Sequence, residues 1–247
     1  MNGAANIITI ENVTKRFGGL VAVGGVSVGI EKNGIVGLIG PNGAGKTTLF
    51  NMIACTFPPT SGKIYYEDRE ITGSKTSDMA HMGIARTFQV TKPFGDMTVI
   101  ENIMVGAFLK HNDRGVARQM AEEIYAYVGM NCGERQKANN LTTVDRKKLE
   151  LARSLATEPT LLLLDEVMAG CNPQEKLELV AVIRKIRETG VTIVIIEHDM
   201  KTIMTLCGKI ILLHRGEKLI EGTPEEVGTD PRAISAYLGE DYANAKN

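Results

Sequence analysis

A stretch of nine residues has the composition of a phosphate-binding loop. In order, these residues are Gly40, Pro41, Asn42, Gly43, Ala44, Gly45, Lys46, Thr47 and Thr48. They fit the pattern G-x-x-x-x-G-K-[ST], in which glycines permit positive φ angles and let backbone N–H groups converge on phosphate oxygens. Lys46 supplies a positive charge for the β- and γ-phosphates, and the Thr47 hydroxyl can hold Mg²⁺. The stretch therefore predicts a site for a nucleoside triphosphate.

Two acids follow an apolar run further along the chain. Asp165 and Glu166 come directly after four leucines, which predict a buried strand. Because α/β folds bind ligands at the carboxyl ends of their strands, we assign Asp165 to the metal. Glu166 leaves the strand in another direction and can act as the general base toward water, which contributes about 10²–10⁴-fold to the rate. The alternative for this pair is an acidic cap at a strand exit.

Two further polar residues stand at boundaries between segments. His198 follows the apolar run of residues 191–196, and Gln89 lies where the α/β pattern gives way to helical periodicity. His198 could contact the γ-phosphate, although a histidine at a strand end is more often structural. Gln89 could sense the metal or the attacking water. On the residues alone, both assignments stay open.

Around these residues the pattern is that of an α/β fold. The predicted strands cover residues 7–12, 15–17, 26–30, 35–39, 160–164 and 191–196, a strand beginning at residue 64, and a hairpin of residues 209–214 and 218–221. Continuous apolar runs, as at 160–164 and 191–196, are typical of parallel strands covered on both faces.

A helix is predicted to start where Asn172, Pro173 and Glu175 form a capping signal. Its apolar stripe is predicted to be Leu177, Val180, Ile183 and Ile186. A terminal helical stretch is predicted after Thr223-Pro224-Glu225-Glu226.

Helical periodicity dominates the region from about residue 75 to residue 157. Three segments show it, residues 100–111, 116–128 and 145–156, and Gly129 is placed to end the second. We therefore predict a helical lobe inserted into the α/β core. The basic run Arg146-Lys147-Lys148 is predicted to lie on a solvated helix face.

Composition limits the classes of function. The chain has 247 residues, 43% of them hydrophobic, and a formal net charge of −1, which gives no electrostatic case for nucleic acid. The four cysteines are far apart and are expected to be reduced thiols. We find no signal-peptide pattern and no apolar stretch near the ~20 residues of a membrane helix. Any membrane association is expected to come through a partner.

In their order and spacing, these motifs resemble the ATP-binding subunits of ABC transporters across essentially the whole chain. The resemblance makes residues 40–48 the Walker A loop, Gln89 the Q-loop residue and residues 161–165 the Walker B strand. It makes Glu166 the catalytic glutamate and His198 the switch histidine.

Phe17 matches the aromatic residue that stacks on adenine in this family. The implied cofactors are ATP and Mg²⁺, with Thr47, Gln89 and Asp165 at the metal. Glu166, His198 and Gln89 are the implied catalytic residues.

The resemblance also implies an organisation and a set of partners. It implies one P-loop ABC ATPase domain, 1–247, with an N-terminal antiparallel β part. Its lobes would be a nucleotide-binding core of residues 1–88 and 158–222, a helical lobe of residues 89–157 and a helical tail of residues 223–247. Implied partners are integral-membrane permease subunits, a second ATPase subunit and, indirectly, a periplasmic or extracellular binding protein, but not nucleic acid. The implied location is the cytoplasmic face of the cell membrane.

Four short sequence segments resemble those of the ATP-binding subunits of branched-chain amino-acid importers. They are residues 15–20, 83–89, 196–200 and 221–224.

One motif departs from the family pattern. ABC ATPases work as head-to-tail dimers in which each ATP meets the partner's signature, normally L-S-G-G-Q. The matching positions here hold Leu141-Thr142-Thr143-Val144-Asp145. Thr142 keeps a hydroxyl that can contact the nucleotide. Val144 can adopt a positive φ only at an energetic cost that glycine does not have. Asp145 suits the start of the following helix, although its charge would repel a γ-phosphate.

Two smaller departures point the same way. Val167 and Asn172 stand where many relatives have proline and aspartate. We therefore expect a weak contact with the partner's nucleotide, and this expectation favours a heterodimer with a different ATPase subunit over a homodimer. Substituting Val144→Gly should then raise ATP-driven dimerisation.

Three alternatives to a transport ATPase remain. One is a soluble ABC ATPase that acts on a scaffold, as in iron–sulfur assembly. The surface around residues 91–99 would distinguish this alternative from a transport ATPase, because in transporters that surface docks the membrane subunit. Another is a nucleic-acid- or ribosome-associated ABC protein, which the single nucleotide domain disfavours. The last is a nucleotide binder that regulates without hydrolysis.

Overall fold

The structure is a computed structural model that describes residues 5–87 and 93–236. The chain divides into two compact units. The first unit comprises residues 1–76 and 192–247, and the second comprises residues 77–191. Among the described helices, none combines the length and apolar character needed to cross a membrane.

The described strands, in chain order, are β1 (Asn6–Phe17), β2 (Leu20–Glu31), β3 (Ile35–Ile39), β4 (Ser61–Tyr66), β5 (Arg69–Glu70), β6 (Ile84–Arg86), β7 (Leu161–Asp165), β8 (Thr192–Ile196), β9 (Lys209–His214) and β10 (Glu217–Gly222). The described α-helices are α1 (Lys46–Ile53), α2 (Thr76–Met82), α3 (Val99–Ala107), α4 (Arg114–Tyr127), α5 (Thr143–Leu155), α6 (Pro173–Glu188), α7 (Met200–Leu206) and α8 (Pro224–Thr229). A 3₁₀ turn covers Ala138–Asn140.

The first unit contains an antiparallel sheet and a mostly parallel group of strands. The antiparallel sheet has the order β2-β1-β4-β5, and its register pairs Ile8 with Tyr66 and Ile10 with Ile64. In the second group, β3 pairs in parallel with β8 and β9, and β9 pairs antiparallel with β10. Every residue of β3 and β8 is buried, as expected of strands covered on both faces.

The second unit contains a parallel strand pair and most of the helices. β6 pairs in parallel with β7, whose five residues are all buried. Helices α3, α4 and α5 pack on one another. Gly129 has a φ of 62° directly after the last residues of α4, so it ends that helix as predicted.

The predicted start of α6 is confirmed in detail. The Asn172 side chain accepts a hydrogen bond from the Glu175 N–H at 3.0 Å, and the Glu175 carboxylate accepts one from the Asn172 N–H at 2.8 Å. Pro173 occupies the first helical position. These contacts satisfy two N–H groups that a helix start otherwise leaves unpaired.

The fold class is confirmed, with an antiparallel N-terminal part, parallel strands and a helical region within the second unit. The functional lobe boundaries expected from the family resemblance stay predictions.

The predicted apolar stripe of α6 is partly wrong. Leu177 is 64% exposed, whereas Leu179, Val182, Ile183 and Ile186 are buried. These four residues follow the spacing i, i+3, i+4, i+7 of one helix face. Leu177 lies outside this face, so it is an exposed apolar residue and not part of the buried stripe.

The basic run on α5 is also not on a solvated face. Arg146 is exposed, but Lys147 is 6% and Lys148 3% exposed. The Lys148 ammonium donates to the Gly129 carbonyl at 2.9 Å and to the Glu178 carboxylate at 2.7 Å. A buried lysine is tolerated when such partners compensate its charge. These partners are 19 and 30 residues away in the chain, so the local sequence pattern did not indicate them.

Candidate nucleotide-binding site

The glycine-rich loop lies between β3 and α1 and has the predicted backbone. Gly40, Gly43 and Gly45 have φ angles of 150°, 77° and 96°. A Cβ at Gly45 would lie 2.5 Å from the carbonyl oxygen of Ala22, and one at Gly40 would collide with the carbonyl oxygen of Leu213. Around Gly43, by contrast, there is open space. The loop is therefore tightly fixed at both ends and accessible in the middle, where a phosphate can approach the backbone.

Lys46 and the N-terminus of α1 supply the positive charge of this loop. The Lys46 side chain is buried, and its ammonium donates to the carbonyls of Gly40 at 2.6 Å and Pro41 at 2.9 Å. Gly45 precedes α1 and has no side chain with which to cap it, and the first turn has no acidic residue. Thr47 is exposed. The helix N-terminus thus offers N–H groups and a partial positive charge to an anion.

Phe17 belongs to a small aromatic cluster in the first unit. It is 48% exposed and meets Phe57 edge to face, with ring centroids 5.6 Å apart. The Lys15 ammonium lies 5.2 Å from the centre of the Phe17 ring and 4.7 Å from that of Phe57. It also donates to the Pro58 carbonyl at 2.6 Å. An exposed aromatic ring held in this way can stack on a nucleotide base.

Phe57 and the cationic contact of Lys15 were missed in the sequence, because the two aromatic rings lie on segments 40 residues apart. A second aromatic residue shortly after the loop helix was the available signal.

His198 lies between β8 and α7 and is exposed. The neighbouring Asp199 caps α7, since its carboxylate accepts a hydrogen bond from the Thr202 N–H at 3.3 Å. This cap fixes the turn after the strand. The position at the strand end is as predicted, and a role for His198 at the γ-phosphate stays a prediction.

In the second unit, Asp165 ends β7 and is buried. Its carboxylate is 3.1 Å from the guanidinium of Arg86, the last residue of β6. The next residue, Thr87, receives the Asp165 N–H on its hydroxyl oxygen at 3.3 Å, and the Thr87 N–H donates to the Leu163 carbonyl at 2.9 Å. The two strand ends are thus joined through both side chains and backbone.

Glu166 has an unusual backbone conformation. Its φ of 49° lies in the left-handed region, which residues with a Cβ adopt at a cost of about 1–2 kcal/mol. The Ala169 N–H donates to the Glu166 carbonyl at 3.1 Å and closes a turn there. Non-glycine residues with such strain cluster at functional sites. The conformation turns the chain sharply out of β7 and leaves the Glu166 side chain partly exposed.

The altered signature forms the capped start of α5. The Thr142 hydroxyl accepts a hydrogen bond from the Asp145 N–H at 3.2 Å and donates one to the Asp145 carboxylate at 2.8 Å. That carboxylate also accepts the Asn131 N–H at 3.2 Å. Asp145 and Val144 are 4% and 8% exposed. The prediction that Asp145 suits the helix start is confirmed, and the role of Thr142 toward a nucleotide stays a prediction.

The remaining predicted site residue, Gln89, lies outside the described residues. The first unit therefore carries the loop, Phe17 and His198, and the second carries Asp165, Glu166 and the altered signature. The exposed Thr47 hydroxyl of the first unit and the Asp165 carboxylate of the second are each an oxygen donor of the kind that Mg²⁺ prefers, so each residue fits this ion by its own chemistry.

Comparison with known proteins gives consistent results. The family model described as "ABC transporter" matches residues 23–169, and the one described as "Branched-chain amino acid ATP-binding cassette transporter" matches residues 217–243. The chain is 39% identical over 250 residues to the high-affinity branched-chain amino acid transport ATP-binding protein BraF of Pseudomonas aeruginosa, covering 95% of this chain and 98% of that protein. It is 39% identical over 250 residues, with the same coverage, to the protein LivG of Escherichia coli, which has the same descriptive name.

Solved structures agree with these relatives. The crystal structure of a nucleotide-free ATP-binding cassette from an ABC transporter has a TM-score of 0.84 at 28% identity, covering 94% of this chain and 98% of that one. An ATP-binding cassette of an ABC transporter in its ADP conformation has a TM-score of 0.85 at 29% identity, covering 95% and 99%. On these matches and the loop geometry, the chain belongs to the ATP-binding subunits of the ABC transporter family.

Proposed function

We propose that this chain is the ATP-hydrolysing subunit of an ABC importer for branched-chain amino acids. The observation that carries the substrate class is the match to relatives named for this transport over nearly the whole chain, at 39% identity for BraF and LivG. The match of residues 217–243 to the branched-chain transporter model supports it independently. Both observations disfavour the alternative of a soluble ATPase acting on a scaffold.

The chain's own residues would hold the nucleotide in the manner that the loop geometry supports. Backbone N–H groups of the loop and the Lys46 ammonium bind the phosphates, and Phe17 stacks on the base. Lys46 has carbonyl partners at both Gly40 and Pro41, which hold its ammonium at the loop without a ligand. Thr47 and Asp165 would each offer an oxygen atom to Mg²⁺, which would supply positive charge toward the phosphates.

Glu166 would act as the general base in hydrolysis. Its left-handed backbone turns the residue away from the line of β7, and the side chain remains partly exposed for a water molecule. Removing a proton from water at the start of attack on the γ-phosphate is worth about 10²–10⁴-fold. His198, exposed at the end of β8, would contact the γ-phosphate as a second polar group.

The partners follow from the altered signature. The Thr142 hydroxyl is already bonded to Asp145, and Val144 lies in a helical turn. A nucleotide of a partner would therefore receive little from this side of the chain. We infer a dimer with a different ATPase subunit, which would complete the site at this chain's own Walker A loop. Permease subunits would place both at the cytoplasmic face of the membrane.

The test is an affinity purification of the tagged chain, in detergent, from membranes of its source cell. Expected is the recovery of polytopic membrane proteins together with a second, different ATPase subunit. The purified complex, reconstituted in liposomes with its binding protein, should hydrolyse ATP faster when leucine, isoleucine or valine is added. Lysine serves as the control amino acid.

Two results would contradict the proposal. Recovery of soluble scaffold proteins alone would overturn the transport function. A complex that responds to lysine but not to leucine, isoleucine or valine would leave the ABC importer in place and overturn the substrate class.

A further inference from the structure

Arg86 has a relationship to Asp165 that the family motifs do not describe. β6 and β7 pair in parallel with Arg86 opposite Leu163, two residues before Asp165. Because alternate residues of a strand share a face, Leu163 and Asp165 point the same way. The Arg86 guanidinium reaches along this face and lies 3.1 Å from the Asp165 carboxylate. The strand register thus brings the cation to the carboxylate.

Burial makes the Asp165 carboxylate depend on a compensating partner such as Arg86. The Asp165 side chain is 4% exposed and that of Arg86 18%. A carboxylate withdrawn from water to this extent is strongly destabilising unless a cation or several hydrogen-bond donors compensate it. The Asp165 backbone is fixed as well, through its N–H on the Thr87 hydroxyl. The Arg86 guanidinium supplies a positive charge that faces the Asp165 carboxylate.

The same carboxylate is the residue that the proposed function assigns to Mg²⁺. A divalent cation at the Asp165 carboxylate would lie close to the Arg86 charge. The two cations would repel each other at this carboxylate, and Arg86, with about a fifth of its side chain exposed, has a route to solvent.

We propose that Arg86 is a positioning residue that holds the Asp165 carboxylate in place as an internal cation and is displaced when Mg²⁺ binds with the nucleotide. This inference rests on the proposed role of Asp165 at the metal. Its consequence is a competition. Breaking the Arg86–Asp165 pair costs free energy, and this cost reduces the free energy of Mg²⁺ binding. The intact pair therefore lowers the contribution of Mg²⁺ to nucleotide affinity. It also keeps the carboxylate ordered between turnovers.

The experiment compares ADP affinity in Mg²⁺ with ADP affinity in EDTA by isothermal titration calorimetry of the full chain. The ratio of the two dissociation constants measures the metal contribution. In Arg86→Met, which removes the cation and keeps the side-chain length, we expect this ratio to rise at least fivefold while the constant in EDTA changes by less than twofold. Arg86→Lys keeps the positive charge but not the planar guanidinium, so it should give a smaller rise in this ratio. It serves as a second variant if Arg86→Met folds poorly.

The matched control is Lys148→Met. Lys148 forms another ion pair of the same unit, 2.7 Å from Glu178, with 4% of the Lys148 side chain and 35% of the Glu178 side chain exposed. This variant should lower the unfolding temperature without changing the ratio of dissociation constants. A merely structural Arg86 would behave in the same way.

The outcomes separate this inference from the proposed function. If wild type shows a metal contribution and both Arg86 variants leave it unchanged or reduce it, the inference is wrong and the role of Asp165 stands. If wild type binds ADP equally well with and without Mg²⁺, the role of Asp165 at the metal is wrong and the inference falls with it. Direct titration of Mn²⁺ into the ADP complex, followed by electron paramagnetic resonance, should show tighter metal binding in Arg86→Met.

Discussion

The backbone of Glu166 can be tested separately from its carboxylate. Glu166→Ala and Glu166→Gly both remove the carboxylate, and they differ only in the Cβ atom. At a φ of 49°, a residue with a Cβ costs about 1–2 kcal/mol that glycine does not. Glycine in turn loses about 0.4–1 kcal/mol through the greater freedom of its unfolded chain. The free energy of unfolding should therefore be higher in Glu166→Gly than in Glu166→Ala, by about 0.5–1 kcal/mol.

Val144 provides a control pair with the opposite sign. It lies in the first turn of α5, where glycine is less favourable than alanine by up to about 1 kcal/mol. Val144→Gly should thus be less stable than Val144→Ala. Both positions belong to the unit of residues 77–191, so both pairs report on the same unit even if the two units unfold separately.

The assay is urea denaturation of the four variants, followed by far-ultraviolet circular dichroism. A difference of 1 kcal/mol corresponds to about 2–4 °C in the unfolding temperature of a chain of this size, so thermal scans are a second measurement. If Glu166→Ala is as stable as Glu166→Gly, or more so, while the Val144 pair behaves as expected, the left-handed conformation at Glu166 is refuted.

Four more outcomes are expected. Glu166→Gln should keep ATP binding in a filter assay and lose hydrolysis about 10²–10⁴-fold; unchanged turnover would remove Glu166 from the base role. Val144→Gly should raise ATP-driven association in analytical ultracentrifugation, relative to Val144→Ala, despite its lower stability. Equal association of the two variants would contradict the expectation that glycine at this position strengthens the contact with the partner's nucleotide. Burial raises the pKa of the Cys55 thiol to about 11 and that of Cys207 to about 12. Both thiols should therefore resist alkylation at pH 8 in mass-spectrometric labelling. Rapid labelling of the folded protein at pH 8 would contradict the burial of these thiols. The thiols ionise near pH 9 in the unfolded chain and only at higher pH in the folded chain. The free energy of unfolding, measured in urea, should therefore fall as the pH rises above about 9.

Local patterns were sufficient wherever the physical cause is local. Continuous apolar runs predicted β7 and β8 because a strand covered on both faces has no polar position. The capping box of α6 was readable because its two partners are three residues apart. The glycines of the loop were readable because positive φ angles favour this residue type.

Short elements and long-range contacts were not readable in the same way. β6 has three residues and α7 has seven, which is too little for periodicity to distinguish them from loops. The Arg86–Asp165 pair joins residues 79 positions apart, and only the register of β6 against β7 brings them together. The left-handed φ of Glu166 had no signal in residue type, since glutamate is not a residue that favours this conformation.

The altered signature combines both kinds of information. The sequence shows that both glycines of the family pattern are replaced, by Thr143 and Val144, and the structure shows which hydrogen bonds the neighbouring groups form. The Asp145 carboxylate is buried and accepts hydrogen bonds from Thr142 and from the Asn131 backbone. Turning the Thr142 hydroxyl toward a phosphate would break one of these bonds and leave a buried carboxylate with one donor fewer, which is costly. The cap of α5 therefore opposes nucleotide binding independently of Val144, and we infer that Val144→Gly alone restores only part of the contact. A double variant, Val144→Gly with Asp145→Gln, should associate with its partner more strongly than either single variant.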